Sequence, residues 1–288
     1  MLKPKISILT TVFNRETYIA DCIESVLVSS YKDWELIIVD DQSSDQSVAI
    51  AKRYAEKDDR IKVYVNEQNL GDYPNRNKAA SYAKGKYIKY LDADDLIYPH
   101  GLEVMVNTME QFPEAALGIS QEVAEDMKPY PFIMTPKETF QREFLKRGVL
   151  GLGPTGTIIR KDIFDALGGY TGTRYIGDIE MWYKIALQYP VVKTLPGLIF
   201  WRQHDDQEIT KGIQSFFYLE NAYKHKKKML RTEELPLNTS ERLEALNKLN
   251  KRFARNILLL VKQRQFKKAN SIRTSCDVSW LKILKSLY

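Results

Sequence analysis

The sequence WELIIVDDQSSDQS, residues 34–47, contains the strongest indication of the fold. It opens with an apolar run of the kind that forms a strand buried on both faces, and two aspartates follow it directly. Ser43 or Ser44 then offers a side-chain cap for a helix near residues 45–57. A buried strand that ends in carboxylates and leads into a helix is typical of a parallel sheet.

The sequence on both sides continues this alternation. Apolar periodicity predicts, in chain order, a strand at 5–10, a helix at 16–29, a strand at 61–65, a helix at 73–84 and a strand at 86–91. We therefore expect an α/β fold, with a mainly parallel, Rossmann-like sheet flanked by helices.

Polar side chains cluster where three of these strands end. The clusters are Thr10-Thr11, Asp40-Asp41 and the sequence DADD at 92–95. Ligands of open α/β sheets bind outside the carboxyl ends of the strands, so the clusters predict a site along one edge of the sheet. Clustered carboxylates in such a place need a compensating positive charge.

Size and composition exclude several classes of protein. The chain has 288 residues, of which 44% are hydrophobic and 28% charged, as in ordinary globular proteins. Two cysteines far apart favour neither a disulfide framework nor a cysteine-rich zinc site, and they fit a reducing compartment. The first residues lack the apolar segment of a signal peptide, and no apolar run is long enough to span a bilayer. We expect a cytoplasmic protein.

The missing glycines limit how this site can hold phosphates. The first glycine of the chain is Gly71, so the dinucleotide fingerprint and the P-loop, which need glycines after the first strand, are excluded. The same absence disfavours a nucleotidyltransferase. Hard divalent cations bind one or two carboxylates together with substrate phosphates, so Asp92 and Asp94 can present one oxygen each to a metal or to a ribose.

Five segments, in this order, resemble the family 2 glycosyltransferases of the GT-A fold. They are ILTTVFNRETYIADCIESVL, WELIIVDDQSSDQS, NLGDYPNRNKAA, GKYIKYLDADD and GGYTGTRYIGDIEMWYKIA. The resemblance implies a catalytic domain at 1–215, with a nucleotide-sugar half at about 1–110 and an acceptor half at about 111–215. A basic helical region at 216–288 follows, and it carries no motif of the family.

The resemblance implies donor-binding roles for Thr11, Phe13, Asp41, Arg76 and Asp92. Asp41 matches the carboxylate that receives the N3–H of uracil, while Thr11 and Phe13 match positions that line the nucleoside pocket. Arg76 matches a cation near the base and the diphosphate. Asp92 matches a carboxylate that holds the ribose or a metal-bound water. The alternatives are a loop or cap carboxylate for Asp41, core packing for Phe13 and a surface ion pair for Arg76.

The resemblance also implies the chemistry of transfer. Asp94 would ligate Mn²⁺ or Mg²⁺ between the two phosphates, and Asp95 would order the following turn. Asp178, in the first turn of a predicted helix, matches the catalytic base, and the helix N-terminus favours its ionised form. A simple helix cap is the alternative. The family usually carries Glu where this chain has Gly177, so the acceptor side departs from the usual pattern.

Two further stretches belong to the acceptor half. WRQHDDQ, residues 201–207, resembles a loop with Arg-x-His, which implies that His204 contacts the metal or the diphosphate; a loop histidine is the alternative. The glycines of residues 151–170 shape an acceptor pocket or form turns. The Gln-x-x-Arg-Trp signature of processive relatives is absent from the sequence, so we expect the transfer of single sugars.

These expectations describe an inverting, metal-dependent glycosyltransferase. It would move one sugar from a nucleotide sugar, a UDP-hexose, to a glycan or lipid-linked acceptor in the assembly of bacterial surface polysaccharide or glycolipid. The alternative is a non-catalytic nucleotide-sugar-binding or scaffolding protein of the same fold. A homo-oligomer is compatible with both.

The tail differs from the body in charge. Residues 221–288 contain 17 Lys and Arg against 5 Asp and Glu, a balance of +12, whereas residues 1–220 have a balance of −6. A basic tail indicates an anionic partner or a solvated helical face. Zinc-finger spacing, a basic zipper and RNA-binding aromatic motifs are absent from the sequence, so we expect a membrane surface rather than nucleic acid.

The tail also carries an apolar helical stripe, followed by a shorter apolar and basic stretch at 280–287. Members of the stripe recur at spacings of three and four: Leu246, Leu249, Phe253, Ile257 and Leu260. The stripe either lies in a membrane interface or packs on the catalytic domain or a second subunit.

Overall fold

The computed structural model describes residues 3–121, 126–204, 207 and 216–286. The chain forms two compact units. The first unit consists of Met1–Pro136 and Val149–Gln203, and the second unit consists of Lys137–Gly148 and His204–Tyr288. The expected domain boundary at residue 215 stays a prediction, because residues 208–215 lie outside the described part of the chain.

The first unit is built from alternating strands and helices. Its strands are β1 (Ile6–Val12), β2 (Trp34–Asp40), β3 (Ile61–Val65), β4 (Tyr87–Tyr90), β5 (Leu96–Ile97), β6 (Leu117–Ile119), β7 (Phe132–Met134), β8 (Thr157–Arg160), β9 (Val191–Lys193) and β10 (Ile199–Phe200). Its helices are α1 (Ile19–Leu27), α2 (Ser47–Ala55), α3 (Asp72–Tyr82), α4 (Gly101–Gln111), α6 (Lys161–Ala166) and α7 (Gly177–Gln188).

Eight strands form one sheet, in the order β3-β2-β1-β4-β8-β6-β9-β7, and β5 pairs with β10 in a small second sheet. Strands β3, β2, β1 and β4 are mutually parallel, and so are β6 and β9, whereas β8 and β7 run antiparallel to their neighbours. In this register Val12 lies opposite Asp40, and Leu9 lies opposite Tyr90. The carboxyl ends of β1, β2 and β4 therefore meet at one edge, and the expected α/β fold is confirmed.

Burial explains why the central strands lie where they do. Every residue of β2 except Glu35 is buried, as expected for a strand covered on both faces. Helix α1 contributes Ile19, Ile23 and Val26 to the same core. Apolar burial of this kind stabilises a fold by about 25 cal/mol per Å².

The start of α2 differs from the expectation. We expected Ser43 or Ser44 to cap this helix, but it begins at Ser47 and the residue at its N-cap makes no side-chain bond. The hydroxyl of Ser43 instead accepts the N–H of Asn14 (2.8 Å), and the carboxylate of Asp45 accepts the N–H of Ser47 (2.9 Å). The predicted cap is wrong because Ser43 joins the loop after β2 to the loop after β1.

The second unit is helical, as expected for the C-terminal region. Its helices are α5 (Pro136–Leu145, apart from its first residue), α8 (Phe217–Met229), α9 (Thr239–Lys262), α10 (Phe266–Ser275) and α11 (Trp280–Lys285). Helix α9 begins with a capping box, in which Asn238 and Glu241 each accept the backbone N–H of the other with a side-chain oxygen.

The apolar stripe of α9 forms the core of this unit. Phe253, Ile257 and Leu260 are at most 2% exposed, and they lie in one cluster with Tyr223 of α8 and Ile272 of α10. Leu249 packs against the same cluster, so this part of the stripe is covered by helices of its own unit. This corrects both expectations for these four residues, the membrane interface and the catalytic domain or second subunit, whereas Leu246 lies outside the cluster. Among the described helices, none has the length and hydropathy to cross a bilayer.

Candidate active site

The candidate site lies along the edge where β1, β2 and β4 end. Thr11 lies in β1 opposite Val39 of β2, and Asp41 follows β2 directly. Asp92 and Asp94 follow β4 after a single intervening leucine. The parallel register brings these three chain segments together at one edge, as the sequence predicts.

Asp41 is a buried carboxylate that holds the loop before α3. Its Oδ1 accepts the backbone N–H of Leu70 and the side-chain amide of Asn66, each at 2.8 Å, and its Oδ2 accepts the N–H of Gly71 at 2.8 Å. Gly71 has a φ of +84°, which glycine adopts without steric cost. A carboxylate has about four acceptor positions, so this loop role leaves one for a nucleoside base.

Thr11 and Phe13 lie at the end of β1. Thr11 is half-buried, whereas the side chain of Phe13, just beyond the strand, is 49% exposed. Core packing, the alternative for Phe13, is therefore wrong, and its ring offers a face for stacking. The nucleoside contacts of both residues stay predictions.

Arg76 supplies positive charge to the sequence DADD at 92–95, here called the acidic motif. Its Nη1 donates to Asp92 and its Nε donates to Asp72, each at 2.7 Å. Burial alone would raise the pKa of Asp92, but the charge and hydrogen bond of Arg76, together with Lys89 and Thr155, hold this pKa below its ordinary value. Arg76 itself is only 8% exposed, so it is a buried cation of the site rather than half of a surface ion pair.

A second arginine, not predicted from the sequence, faces Asp94. Nε of Arg15 lies 3.1 Å from Oδ2 of Asp94. Arg202 donates its Nε–H to the main-chain carbonyl of Asp94 (3.0 Å), and its backbone N–H to the carboxylate of Asp95 (3.1 Å). Asp95 thus ties the segment at 202 to the motif, and three arginines together provide the compensating charge that the sequence requires.

A buried lysine and a neighbouring carboxyl lie beside the motif. Lys89 is fully buried and donates to the main-chain carbonyl of Thr155, and burial lowers its pKa to about 7 despite the charges of Asp92 and Asp95. Burial, followed by the charges of Asp92 and Asp94, raises the pKa of Asp95 to about 7. Buried groups that cannot all be paired give up part of their charge near neutral pH.

The donor set fits a divalent cation that keeps substrate phosphates as ligands. Asp92 and Asp94 offer hard carboxylate oxygens from one strand end, and Mg²⁺ usually takes one or two carboxylates from a protein. Among the described residues, no group of three or more His, Cys, Asp or Glu side chains could enclose a metal by itself. Phosphate oxygens would therefore have to complete the coordination.

Asp178, the predicted base, lies in the first turn of α7. Its Oδ1 accepts the hydroxyl of Tyr73 (3.2 Å) and the N–H of Ile179 (2.8 Å). Burial raises the pKa of Asp178 to about 6, against the lowering effects of Ile179, Arg76 and Tyr73. The N–H of Ile179 belongs to the first turn of α7, so this contact also fits the alternative of a simple helix cap, and the role of base stays a prediction. At neutral pH this carboxylate is ionised and more basic than an exposed aspartate, as a general base requires.

His204, the proposed further ligand, belongs to the second unit. Its N–H donates to the side chain of Gln207 at 3.4 Å. The two aspartates of the same stretch, at 205 and 206, lie outside the described residues. The contact of His204 with a metal or diphosphate stays a prediction.

Sequence reasoning missed the residues that brace the acids. Arg15 has a weak sequence signal, because it lies three residues after the end of β1 and so near the acidic edge. Arg202 lies in the quoted stretch WRQHDDQ. Thr155, in a 3-10 turn, accepts the N–H of Asp92 with its hydroxyl (3.2 Å). Tyr73 has no sequence signal, because its partner Asp178 lies 105 residues further along the chain.

Comparisons with known proteins agree with this geometry. Residues 7–168, more than half of the chain, match the family model described as glycosyl transferase family 2. The chain belongs to glycosyl transferase family 2. Among its curated relatives is the putative glycosyltransferase EpsE of Bacillus subtilis (strain 168), which is 34% identical over 190 residues. That match covers 63% of this chain and 66% of EpsE, so this family 2 chain spans less than two thirds of the length of that relative.

Two solved structures resemble this family 2 chain in fold. TarS 1–349 of S. aureus, solved with UDP-GlcNAc, has a TM-score of 0.65 at 17% identity, and the match covers 95% of this chain and 90% of that one. The mannosyltransferase PcManGT of Pyrobaculum calidifontis, solved with GDP-Man and Mn²⁺, has a TM-score of 0.61 at 14% identity, covering 99% and 86%. The expected GT-A architecture is confirmed.

Proposed function

We propose that this chain is an inverting, non-processive glycosyltransferase that moves one sugar from a nucleotide sugar to an acceptor hydroxyl. The position of Arg76 carries the proposal, since it pairs with Asp92 at 2.7 Å and its charge lowers the pKa of Asp178. The acidic motif and the candidate base therefore belong to one charge network, as transfer from a charged donor to a deprotonated hydroxyl needs. Membership in family 2 supports the same class of reaction.

The donor would be a UDP-hexose bound across the edge of the sheet. The carboxylate of Asp41 keeps one acceptor position for the N3–H of uracil. The exposed ring of Phe13 offers a stacking face, with Thr11 two residues before it. TarS was solved with UDP-GlcNAc, which supports the choice of UDP.

Asp94, with Asp92 beside it, would hold Mn²⁺ or Mg²⁺ against the two phosphates of the donor, and His204 is a proposed further ligand. Such an ion neutralises the charge that grows on the leaving diphosphate. PcManGT was solved with Mn²⁺, which supports a divalent cation here. Arg15 and Arg76 contact the same two carboxylates and orient them.

The transfer would be a single displacement. Asp178 accepts the proton of the acceptor hydroxyl, whose oxygen attacks the anomeric carbon from the face opposite the diphosphate. The bond between that carbon and the phosphate oxygen breaks as the glycosidic bond forms, the diphosphate leaves with the electron pair, and the configuration inverts. A pKa of about 6 keeps Asp178 ionised at neutral pH while it remains able to take a proton.

A thermal-shift panel tests the proposal. The full chain is heated with UDP-, dTDP- and GDP-sugars, each in Mn²⁺ and in EDTA. We expect a UDP-hexose to raise the unfolding midpoint only with metal, because a ligand at 100 times its Kd stabilises the native state by about 2.7 kcal/mol. A panel in which no nucleotide sugar shifts the midpoint would contradict the proposal.

The same donor then separates an enzyme from a binding protein. A transferase should hydrolyse its donor slowly when metal is present and acceptor is absent. A donor that binds but is neither hydrolysed nor transferred would identify the alternative, a non-catalytic nucleotide-sugar-binding or scaffolding protein.

We also propose a membrane contact, on α11 instead of the buried stripe of α9. Ile283 is fully buried in the core of the second unit, which fixes the orientation of this short helix. Trp280, Leu281 and Leu284 are 39%, 62% and 52% exposed. Three large apolar side chains exposed together on one short helix support an interaction surface.

The charges around these side chains favour an anionic bilayer as the partner. Lys282 and Lys285 are exposed on the same helix. Burial, followed by the charges of Lys282 and Arg231, lowers the pKa of Lys227 on α8, so these cations stand close together. Anionic headgroups would relieve their repulsion while the apolar side chains enter the interface. A surface of this kind would bring the enzyme to a lipid-linked acceptor, as in the assembly of bacterial surface polysaccharide or glycolipid.

Flotation with vesicles tests this contact. We expect the chain to float with anionic vesicles at low salt, to be released from them at high salt and not to float with neutral vesicles. The double change Leu281→Ser and Leu284→Ser should abolish flotation. The matched change Leu243→Ser and Leu259→Ser, at exposed leucines of α9, should not. Failure of the wild type to float, or equal loss in both variants, would refute the contact.

The cytoplasmic location and a homo-oligomer stay predictions.

A further inference from the structure

Tyr73 and Gly177 fit closely together beside Asp178. Tyr73, in the first turn of α3, is 5% exposed, and Gly177 is the first residue of α7. A Cβ atom at position 177 would lie 2.7 to 2.9 Å from three carbons of the Tyr73 ring, Cε2, Cζ and Cδ2. Real Cβ atoms do not come so close, so any side chain at this position would displace the ring. Glycine lowers helix stability relative to alanine, and room for the ring is a reason for its presence here.

A second aromatic ring packs against Tyr73. The ring centroid of Tyr170 lies 5.2 Å from that of Tyr73, at an interplanar angle of 43°. Asn77, one helical turn after Tyr73, binds the backbone of Tyr170 twice, donating to its carbonyl and accepting its N–H, each at 2.9 Å. The Tyr73 ring is therefore held between Tyr170 and the bare backbone of Gly177.

The hydroxyl of Tyr73 reaches one oxygen of the candidate base. It donates to Oδ1 of Asp178 at 3.2 Å, and the N–H of Ile179 donates to the same oxygen at 2.8 Å. In the described part of the chain, both hydrogen bonds to this carboxylate end on Oδ1, which leaves Oδ2 for a substrate proton. Burial, and then the charge of Asp178, hold the pKa of Tyr73 well above its ordinary value, so its hydroxyl stays a donor at working pH.

We infer that Tyr73 is the positioning residue of the base and that Gly177 is the residue that admits it. The hydroxyl orients the carboxylate of Asp178 and stabilises its ionised form, and Oδ2 takes the proton of the acceptor. The inference rests on the proposed function for the role of Asp178 as base. The contact itself can be measured without any substrate.

Tyr73→Phe tests the hydroxyl, because it keeps the ring. We expect the pKa of Asp178, followed by carboxyl ¹³C NMR on the full chain, to rise by about one unit, since the carboxylate loses a donor. The acid limb of the pH–rate profile for transfer should move to higher pH by the same one unit. At a pH on this limb, the variant should therefore be about tenfold slower than wild type. Tyr54→Phe is the matched control, because it removes a tyrosine–carboxylate bond, to Glu24 at 2.5 Å, from outside the site and should shift neither.

A double-mutant cycle tests the role of Gly177. Gly177→Ala should displace the ring and raise the pKa of Asp178 as Tyr73→Phe does. In a Tyr73→Ala background the added methyl group meets no ring, so Gly177→Ala should change neither the pKa nor the rate further.

The outcomes separate this inference from the proposed function. An unchanged pKa of Asp178 in Tyr73→Phe would overturn the inference, and so would equal effects of Gly177→Ala in both backgrounds. If the pKa shifts as expected but no nucleotide sugar is ever turned over, the positioning by Tyr73 stands and the proposed reaction fails.

Discussion

The edge of the first unit and the core of the second unit place charge in opposite ways. At the edge, charged and titratable side chains are inside the protein: Arg76 is 8% exposed, Asp94 9% and Asp95 1%. In the second unit the stripe of α9 is inside, and cations of the same helix such as Arg252 and Arg255 are exposed. The edge therefore carries a desolvation cost that the stripe of α9 avoids.

This contrast has a physical consequence. Buried charges lower stability unless they are paired, and even good pairs offset their desolvation only in part. Apolar burial stabilises directly. Substitutions at the edge should therefore change activity more than stability, and substitutions in the core of the second unit should do the reverse.

The largest effect is expected at Asp178, where a substitution should lower activity most. Asp178→Asn keeps the shape of the side chain but cannot act as a carboxylate base. Transfer should fall by about 10²- to 10⁴-fold while the affinity for nucleoside diphosphate stays nearly unchanged. Steady-state kinetics and calorimetry measure the two quantities, and wild-type turnover would show that the base lies elsewhere.

The reverse behaviour is expected at Ile257. Truncation to alanine leaves a cavity in the core of the second unit and should lower the free energy of unfolding of α9 by about 2–5 kcal/mol. Hydrogen exchange of the α9 amides measures it, and nucleotide affinity should not change. Leu259→Ala, at a side chain 52% exposed on the same helix, is the matched control. Similar losses for the two variants would deny that the stripe is core.

The metal site gives the next effect. Asp94→Ala should remove the gain in nucleoside diphosphate affinity that Mn²⁺ provides, which we expect to be about tenfold or more, and leave the fold intact. Calorimetry with and without Mn²⁺ measures this gain, and Asp59→Ala, at an exposed turn, is the control. An affinity and a metal dependence equal to wild type would rule out Asp94 as a ligand.

A smaller effect concerns stability against pH. Folding raises the pKa of Asp178 from 3.8 to about 6, mainly through burial. Below pH 3.8 the group is protonated in both states; as pH rises from there to 6 the unfolded state ionises first, so stability falls and stays lower above pH 6. Asp178→Asn cannot ionise, and should exceed wild type by about 1–2 kcal/mol at pH 7 and equal it near pH 3.5 in urea unfolding. A variant less stable than wild type at pH 7 would show that the edge does not lower stability.

The smallest effect is expected at the start of α9. Asn238→Ala removes half of the capping box and should destabilise the second unit by about 1 kcal/mol. Asn247→Ala, the same change at an exposed position inside the helix, should be neutral or slightly stabilising. Thermal unfolding of the two variants compares them directly, and equal midpoints would show that the cap contributes nothing.

Much of the fold could be predicted because its signals are local. The strand at 61–65 has the predicted bounds, and the helix carrying Asp178 begins one residue before it. The predicted cap of α2 failed because Ser43 binds Asn14, which is distant in the sequence. The stripe of α9 was recognised, but its partners were not, since periodicity shows that a face is apolar without showing what covers it.

The candidate site was predicted as a set of acids and only partly as a set of contacts. Asp41, Asp92 and Asp94 follow strand ends, and their order along the chain reveals the shared edge once the sheet is parallel. The role of Asp41 in holding Leu70 and Gly71 was not visible, because backbone donors leave no sequence pattern.

Local sequence was enough to establish the α/β alternation, the acidic edge and the basic helical tail, because each depends on side chains that are neighbours in the chain. Packing alone determined which cation meets which carboxylate, that Arg15 faces Asp94, and that the ring of Tyr73 fits against Gly177. Some of these pairings join segments more than 100 residues apart, such as Tyr73 and Asp178 at 105, and their geometry exists only after the sheet and helices have buried their apolar faces.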